Sequence, residues 1–151
     1  MSLTLRLVPD PVLGARSDRV QPGPEAGAMA REMLQLMYAN RGRGLAAVQA
    51  GWLARLFVMD VDWPQGNARP RIFANPRIVR ASTVLQVVPE TCLSIPGVTR
   101  RIARPSEIVL AWQGMDGRRR QEAFEGYEAT IIQHEIDHLD GVLMTDRPEA
   151  P

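Results

Sequence analysis

The sequence is short of almost everything that marks a secreted, membrane-spanning or nucleic-acid-binding chain. One cysteine, Cys92, occurs in 151 residues, so no internal disulfide can form and a reducing compartment is expected. The first residues, Met1-Ser2-Leu3-Thr4-Leu5-Arg6, lack the apolar core and small-residue cleavage site of a signal peptide. No apolar run approaches bilayer length. The expected location is the cytoplasm. A net charge of +1 offers no electrostatic reason to expect nucleic acid or an acidic membrane as the main partner. The arginine clusters at Arg100-Arg101 and Arg118–Arg120 read as solvated strand or hairpin. No repeat, low-complexity tract or linker interrupts the chain. With 45% hydrophobic and 23% charged residues, residues 1–151 are expected to form one domain with a core of its own.

The hydrophobic pattern then orders the elements. Residues 3–23, with Pro9, Pro11 and Pro22, read as an irregular arm holding at most a short helical turn. Pro24 suits the first position of a helix. Ala26, Met29, Met33, Leu36 and Met37 continue from it at three- and four-residue spacing, and Asn40 before Arg41-Gly42 is a stop signal. Beyond this helix the period changes. Leu53–Val61, Arg71–Phe73, Ile78–Val88, Val98–Ile102 and Glu107–Trp112 are rich in β-branched and aromatic residues and read as strands. Met115-Asp116-Gly117 predicts a hairpin joining Glu107–Gln113 to Arg118–Phe124. Tyr127–Asp140 reads as a second helix, with Gly141 past its end. Its face of Ala129, Ile132, Ile136 and Leu139 and its face of Tyr127, Ile131, His134 and His138 predict burial on two sides. Helix, strands, helix is an α+β order.

The chain has only two histidines, and both lie on this second helix, in His134-Glu135-Ile136-Asp137-His138. Residues four apart share one helical face, so both imidazoles can reach one ion, and a glutamate beside the first can act as general base. A catalytic site takes a third protein ligand. From the residues alone it is Asp140, Asp146 or Cys92, the last standing where an apolar run ends and a thiolate can face a helix.

Three stretches together resemble the peptide deformylase family. Glu90-Thr91-Cys92-Leu93-Ser94 is similar to its EGCLS box, Gln133–Gly141 to its HExDHLxG box, and Gly42–Gln49 to its GxGLAAxQ box. They stand in the family's order, and Phe73-x-Asn75-Pro76 and the hairpin also fit. The resemblance implies short antiparallel or mixed sheets packed around a central C-terminal HExxH helix, plus an N-terminal helix. It implies one divalent metal held by Cys92, His134 and His138. Fe(II) is the usual physiological ion, with Zn or Ni as replacements, and a thiolate beside iron makes such a site oxidation-sensitive. Glu135 is implied as the proton carrier, and the Gln49 amide and Leu93 backbone N–H as oxyanion donors. Glu90 is expected to brace the loop through a salt bridge to Arg100 or Arg101. The implied activity removes the N-formyl group from formylmethionyl peptides or nascent chains. A monomer with transient ribosome contact is expected.

The departures from the family boxes are grouped rather than scattered. Arg43 stands between the motif glycines, where the family has small or aliphatic residues, and Thr91 replaces a glycine. Tyr127 and Thr130 occupy positions that are aliphatic in the family. With Gly44 and Ile131 they form the expected substrate wall, which predicts weakened or shifted selectivity for formylmethionyl substrates unless Arg43 points outward. Two other functions fit the same boxes: an amidohydrolase of altered N-acyl specificity, and a non-catalytic formyl-peptide-binding relative that keeps the metal. A zincin-type endoprotease is a further alternative. Ten residues follow Gly141, so the extended C-terminal helix of many bacterial members is not expected, which, since shorter members exist, does not imply inactivity.

Overall fold

The computed structural model describes residues 3–151. Its first helix, α1, spans Pro24–Ala39 and turns Ala26, Ala30, Met33, Leu34 and Met37 inward. It stops at Asn40, whose side-chain amide donates to the Leu36 carbonyl at 2.8 Å. Five strands form one antiparallel sheet in the order β1 (Gly44–Ala46), β2 (Leu56–Met59), β3 (Arg71–Ala81), β6 (Glu107–Gln113) and β7 (Arg119–Glu125). A separate antiparallel hairpin pairs β4 (Leu85–Cys92) with β5 (Ile95–Pro105). The second helix, α2, spans Gly126–Leu139.

The sequence of β2, Leu56-Phe57-Val58-Met59, explains how the helices are placed. Successive strand side chains point to opposite faces. Phe57 and Met59 enter the core that contains α2, while Leu56 and Val58 enter the core that contains α1. A strand apolar on both faces therefore lies between two helices. Phe57 stacks on Phe73 with centroids 4.6 Å apart, and Phe73 meets Trp112 edge-on at 4.9 Å. The hairpin covers α2 from another side, so every residue from Ala129 to Leu139 except Ile136 is buried. This exceeds the two buried faces expected from periodicity. At its end Gly141 takes φ +75°, and a Cβ there would stand 2.5 Å from the Gly14 carbonyl oxygen.

Several strand limits differ from the sequence expectation. Arg71–Phe73 does not stop at Asn75-Pro76: β3 runs on to Ala81 through a register shift there. Asn75 adopts φ +48° and its side chain bonds Val20 N–H, Val20 C=O and Gln113. Asparagine tolerates that conformation, and a proline at a bulge forfeits no ladder bond. The run Ile78–Val88 is divided by a turn in which Ser82 Oγ donates to Val84 C=O at 2.8 Å. β5 is longer than Val98–Ile102 because pairing with β4, not apolar alternation, defines it. β1, three residues long, is too short to show a period. The irregular arm is as expected, with a single 3-10 turn at Pro11–Gly14.

α1 is tied to the sheet by a buried polar contact. Tyr38 Oη donates to Asp60 Oδ2 at 2.6 Å, and Arg69 N–H donates to Oδ1 at 3.0 Å. Tyr38→Phe removes the donor to a buried carboxylate and is expected to cost about 1.5–3 kcal/mol in urea unfolding. Burial and then the Asp60 carboxylate push the Tyr38 hydroxyl up from 10.0 to about 12. The unfolded tyrosine ionises first, so this contribution is complete below pH 10 and is lost as pH rises toward 12. The Tyr38→Phe protein should lack that part of the alkaline decline in stability.

Candidate metal centre

His134 and His138 share one face of α2, with ring centroids 5.0 Å apart. Cys92 is the last residue of β4, and the two-residue turn Leu93-Ser94 follows it. The ligand atoms of Cys92, His134 and His138 all lie within 4.8 Å of one another, and all three residues are buried. Cys92 Sγ is 3.3 Å from His138 Nε2. The other two third-ligand candidates are engaged elsewhere. Asp140 pairs with Arg55 at 2.8 Å, and Asp146 accepts from Leu143 N–H at 2.9 Å.

These donors fit a transition-metal ion. A four-coordinate ion with bonds of about 2.0–2.3 Å gathers donors at such separations, and one thiolate with two imidazoles suits Fe, Ni or Zn. His134 Nδ1 bonds Glu90 Oε1 at 2.8 Å, which fixes the ring and leaves Nε2 toward Cys92. Burial opposes a charge on His134, but hydrogen bonds to Cys92 and Glu90 outweigh it and carry the ring up to about 10. That proton uses the same lone pair as an ion would, so proton and metal compete there. Burial, and then the His134 charge, hold His138 well below the usual histidine range. Its Nδ1 is buried without a partner among the described residues.

Glu90 is braced, though not as expected. Its register partner is Arg100, but Arg100 donates to the Arg147 carbonyl, and Arg101 points outward with a guanidinium N–H on Pro151 C=O at 3.2 Å. Arg104, four residues past the register partner, binds both Glu90 oxygens at 2.6 and 3.0 Å. It also donates to Asp137 Oδ2 at 2.9 Å, and Arg147 closes the cluster with bonds of 2.6 and 2.8 Å to Asp137. Burial raises the Glu90 carboxyl, but hydrogen bonds from His134 and Arg104 prevail and hold it below the usual range. Arg104 shares its strand face with buried Ile102. Its even parity with Ile102 is the sequence signal that distinguishes it from Arg101.

Gln49 lies in the 3-10 turn Ala47–Ala50 directly after β1. Its Oε1 accepts from Ala46 N–H at 2.9 Å, which turns Nε2 toward Ser94 Oγ at 3.0 Å and Cys92 Sγ at 3.7 Å. Ser94, fully buried, is a contributor that motif reading left without a role. β1 passes directly against α2: a Cβ on Gly44 would stand 2.7 Å from Glu135 Oε2 and 2.9 Å from Ile131 Cγ2. Burial pushes Glu135 up to about 7, with the His134 charge opposing and that of Glu90 adding to the rise. Its Oε1 has no hydrogen-bond partner among the described residues.

A cleft of about 400 Å³ opens onto these groups. Gln49, Cys92, Leu93, His134 and Glu135 line it on the ligand side, and Arg43, Gly44, Thr91, Tyr127, Thr130 and Ile131 also line it. The Arg43 guanidinium lies 5.5 Å over the Tyr127 ring, so it faces the cleft and does not point outward. Thr130 Oγ1 accepts from Gln86 Nε2 at 3.0 Å.

Two substitutions test the brace. Arg104→Ala leaves Glu90 buried and half-answered, and should destabilise the metal-free protein by about 3–5 kcal/mol in denaturant. Glu90→Gln should weaken metal binding by about 10–100-fold in a chelator competition, because a weaker acceptor orients His134.

Comparison with known proteins agrees with this geometry. A model of the polypeptide deformylase family matches residues 3–150. Peptide deformylase 2 of Prochlorococcus marinus is 45% identical over 119 residues, 79% of this chain and 59% of that relative. The chain thus spans less than two thirds of that protein's length. Another Prochlorococcus marinus peptide deformylase is 43% identical over 147 residues, 97% of this chain and 73% of the relative. Among solved structures, a Synechococcus elongatus peptide deformylase in complex with actinonin superposes with a TM-score of 0.93 and 39% identity, covering 97% of this chain and 80% of that one. The Thermotoga maritima peptide deformylase gives 0.91 and 38%, covering 100% of this chain and 99% of that one. The boxes, the sheet order and the metal-binding cluster have one explanation: the chain belongs to the polypeptide deformylase family.

Proposed function

We infer that the protein is a metal-dependent hydrolase that removes the N-formyl group from formylated peptides or nascent chains. One observation carries the reading. A buried carboxylate, an oriented amide and the candidate metal ligands Cys92 and His134 line the same cleft, and His138 completes the ligand cluster. A purely structural metal needs neither the carboxylate nor the amide, so a non-catalytic relative has no use for this arrangement.

Hydrolysis of a formamide adds water across the C–N bond and yields formate and a free amine. When bound at Cys92, His134 and His138, a divalent ion supplies the Lewis acid that polarises the formyl group and makes water a competent nucleophile near neutral pH. The protein's own residues do the rest. Glu135 takes a proton from water and delivers it to the leaving nitrogen, a role suited to a carboxyl that burial raises toward neutrality. Gln49 Nε2, with Oε1 tied to Ala46, and the Leu93 N–H at the turn donate to the oxyanion of the tetrahedral species. Glu90 and Arg104 hold the His134 ring in place. Gly44, Ile131 and the side chains of Arg43, Thr91, Tyr127 and Thr130 form the wall against which the peptide lies.

The reading includes Fe(II) as the resident ion, with Zn or Ni able to replace it, since the donor set accepts all three. It includes a monomer of one catalytic domain working in the cytoplasm, with transient contact to the ribosome where formylated chains emerge. No helix among the described residues is long and apolar enough to cross a membrane.

Anaerobic purification, metal analysis and formate release from formyl-Met-Ala-Ser test the activity; a metal-loaded protein that releases no formate from any formyl peptide refutes it. Glu135→Gln should lower turnover by about 10²–10⁴-fold while metal content stays unchanged. Cys92→Ala should emerge from purification without metal; full metal content in that variant would place the third ligand elsewhere.

A further inference from the structure

The wall of the cleft carries positive charge that no carboxylate among the described residues neutralises. Arg41 and Arg43 both line it, and among the described residues neither guanidinium enters an ion pair. Each lies instead against a ring, Arg43 at 5.5 Å over Tyr127 and Arg41 at 6.0 Å over Trp63. A guanidinium on an aromatic face is held in place while the N–H groups at its edge stay available to a planar acceptor. The cleft's own carboxylates are committed otherwise. Glu90 is saturated by Arg104 and His134. Glu135 is packed against Gly44 and, among the described residues, forms no ion pair with either arginine. Between them the wall is hydroxylic: Thr91 is exposed, and buried Thr130 is bonded to Gln86. An apolar side chain seated here would desolvate Arg43 with nothing in return.

Position on α2 sets the length of what can reach this charge. Tyr127, Thr130, Ile131 and His134 fall at helical spacing on one face. The Tyr127 ring therefore lies two turns from His134, roughly 10 Å along the axis. An extended peptide advances about 3.3–3.6 Å per residue, so a carboxylate on the first or second side chain after the formyl group spans that distance.

We propose that the cleft selects N-formyl peptides that carry a carboxylate within their first two residues, bound by the Arg43 guanidinium on its Tyr127 seat. The proposal rests on the deformylase reading for its formyl end. It adds an anion subsite on the wall that departs from the family boxes.

The test compares formyl-Glu-Ala-Ser with formyl-Gln-Ala-Ser, and formyl-Met-Glu-Ser with formyl-Met-Gln-Ser, as kcat/KM of the metal-loaded protein. The same peptides are titrated by calorimetry into the Glu135→Gln protein, which holds them uncleaved. At least one glutamyl peptide should exceed its glutaminyl isostere by about tenfold in both measurements, the weight of one charge-assisted hydrogen bond. The excess should shrink in high salt and vanish in Arg43→Gln and Arg43→Ile. The position that shows it identifies which residue meets Arg43. Equal constants within both pairs, or an excess that survives Arg43→Gln, overturn the anion subsite and leave deformylation standing. Glutamyl selectivity in calorimetry without formate release from any peptide overturns deformylation and leaves the subsite standing.

Discussion

A carboxylate at 5% exposure has to be answered by positive charge, and Glu90 is answered from two directions. Arg104 takes both its oxygens from β5, and His134 takes one from α2. The β4–β5 hairpin is no part of the main sheet; its inner face pairs Gln86, Val88 and Glu90 with Arg104, Ile102 and Arg100. What fastens it over α2 is largely polar: Gln86 to Gly126 C=O and Thr130, Glu90 to His134, and Arg104 to Asp137. The same contacts determine where Cys92 ends up. The Cys92 thiol hangs from a strand attached to the helix through this cluster, so docking the hairpin also brings Cys92 to His134 and His138 in the candidate metal site. Replacing such a cluster by apolar residues is often neutral for stability, but here it would free the His134 ring.

Much of this was legible in the sequence, and the parts that were not share a cause. The two helices, the hairpin at Met115–Gly117 and the convergence of Cys92, His134, His138, Glu135 and Gln49 follow from periodicity, turn chemistry and the three boxes. These signals are local. The failures are long-range. The partner of Glu90 lies 14 residues away and off-register; strand alternation separates Arg104 from Arg101, but not from Arg100, which stands directly opposite Glu90. β3 runs through Asn75-Pro76 because the side chain of Asn75 finds partners in the N-terminal arm and in β6, which no window around residue 75 contains. Ser94 reads as a turn serine until Gln49 is seen bonded to it.

The cleft shows how the chain reuses one kind of side chain. All 18 of its cations are arginines. In the core, Arg104 uses its planar fork to join two carboxylates. Arg71 lies over Phe73, Trp112 and Phe124 at 5.2–5.6 Å while holding Glu122. Arg43 has the ring but, among the described residues, no carboxylate. The contrast with Arg71 is what makes the wall of the cleft chemically unsatisfied rather than merely polar.

The tail described with the Glu90 brace also bears on self-association. A two-stranded hairpin leaves the outer backbone of both strands open to pairing with another chain. Along β5 that row is partly closed from within: Arg101 N–H is taken by Glu149, its carbonyl by Ala150 N–H, and Arg147 pins the segment to Asp137. The residues that complete the ion cluster thereby act as a guard on a sheet edge, and loosening Arg147 would expose a template for strand addition along β5.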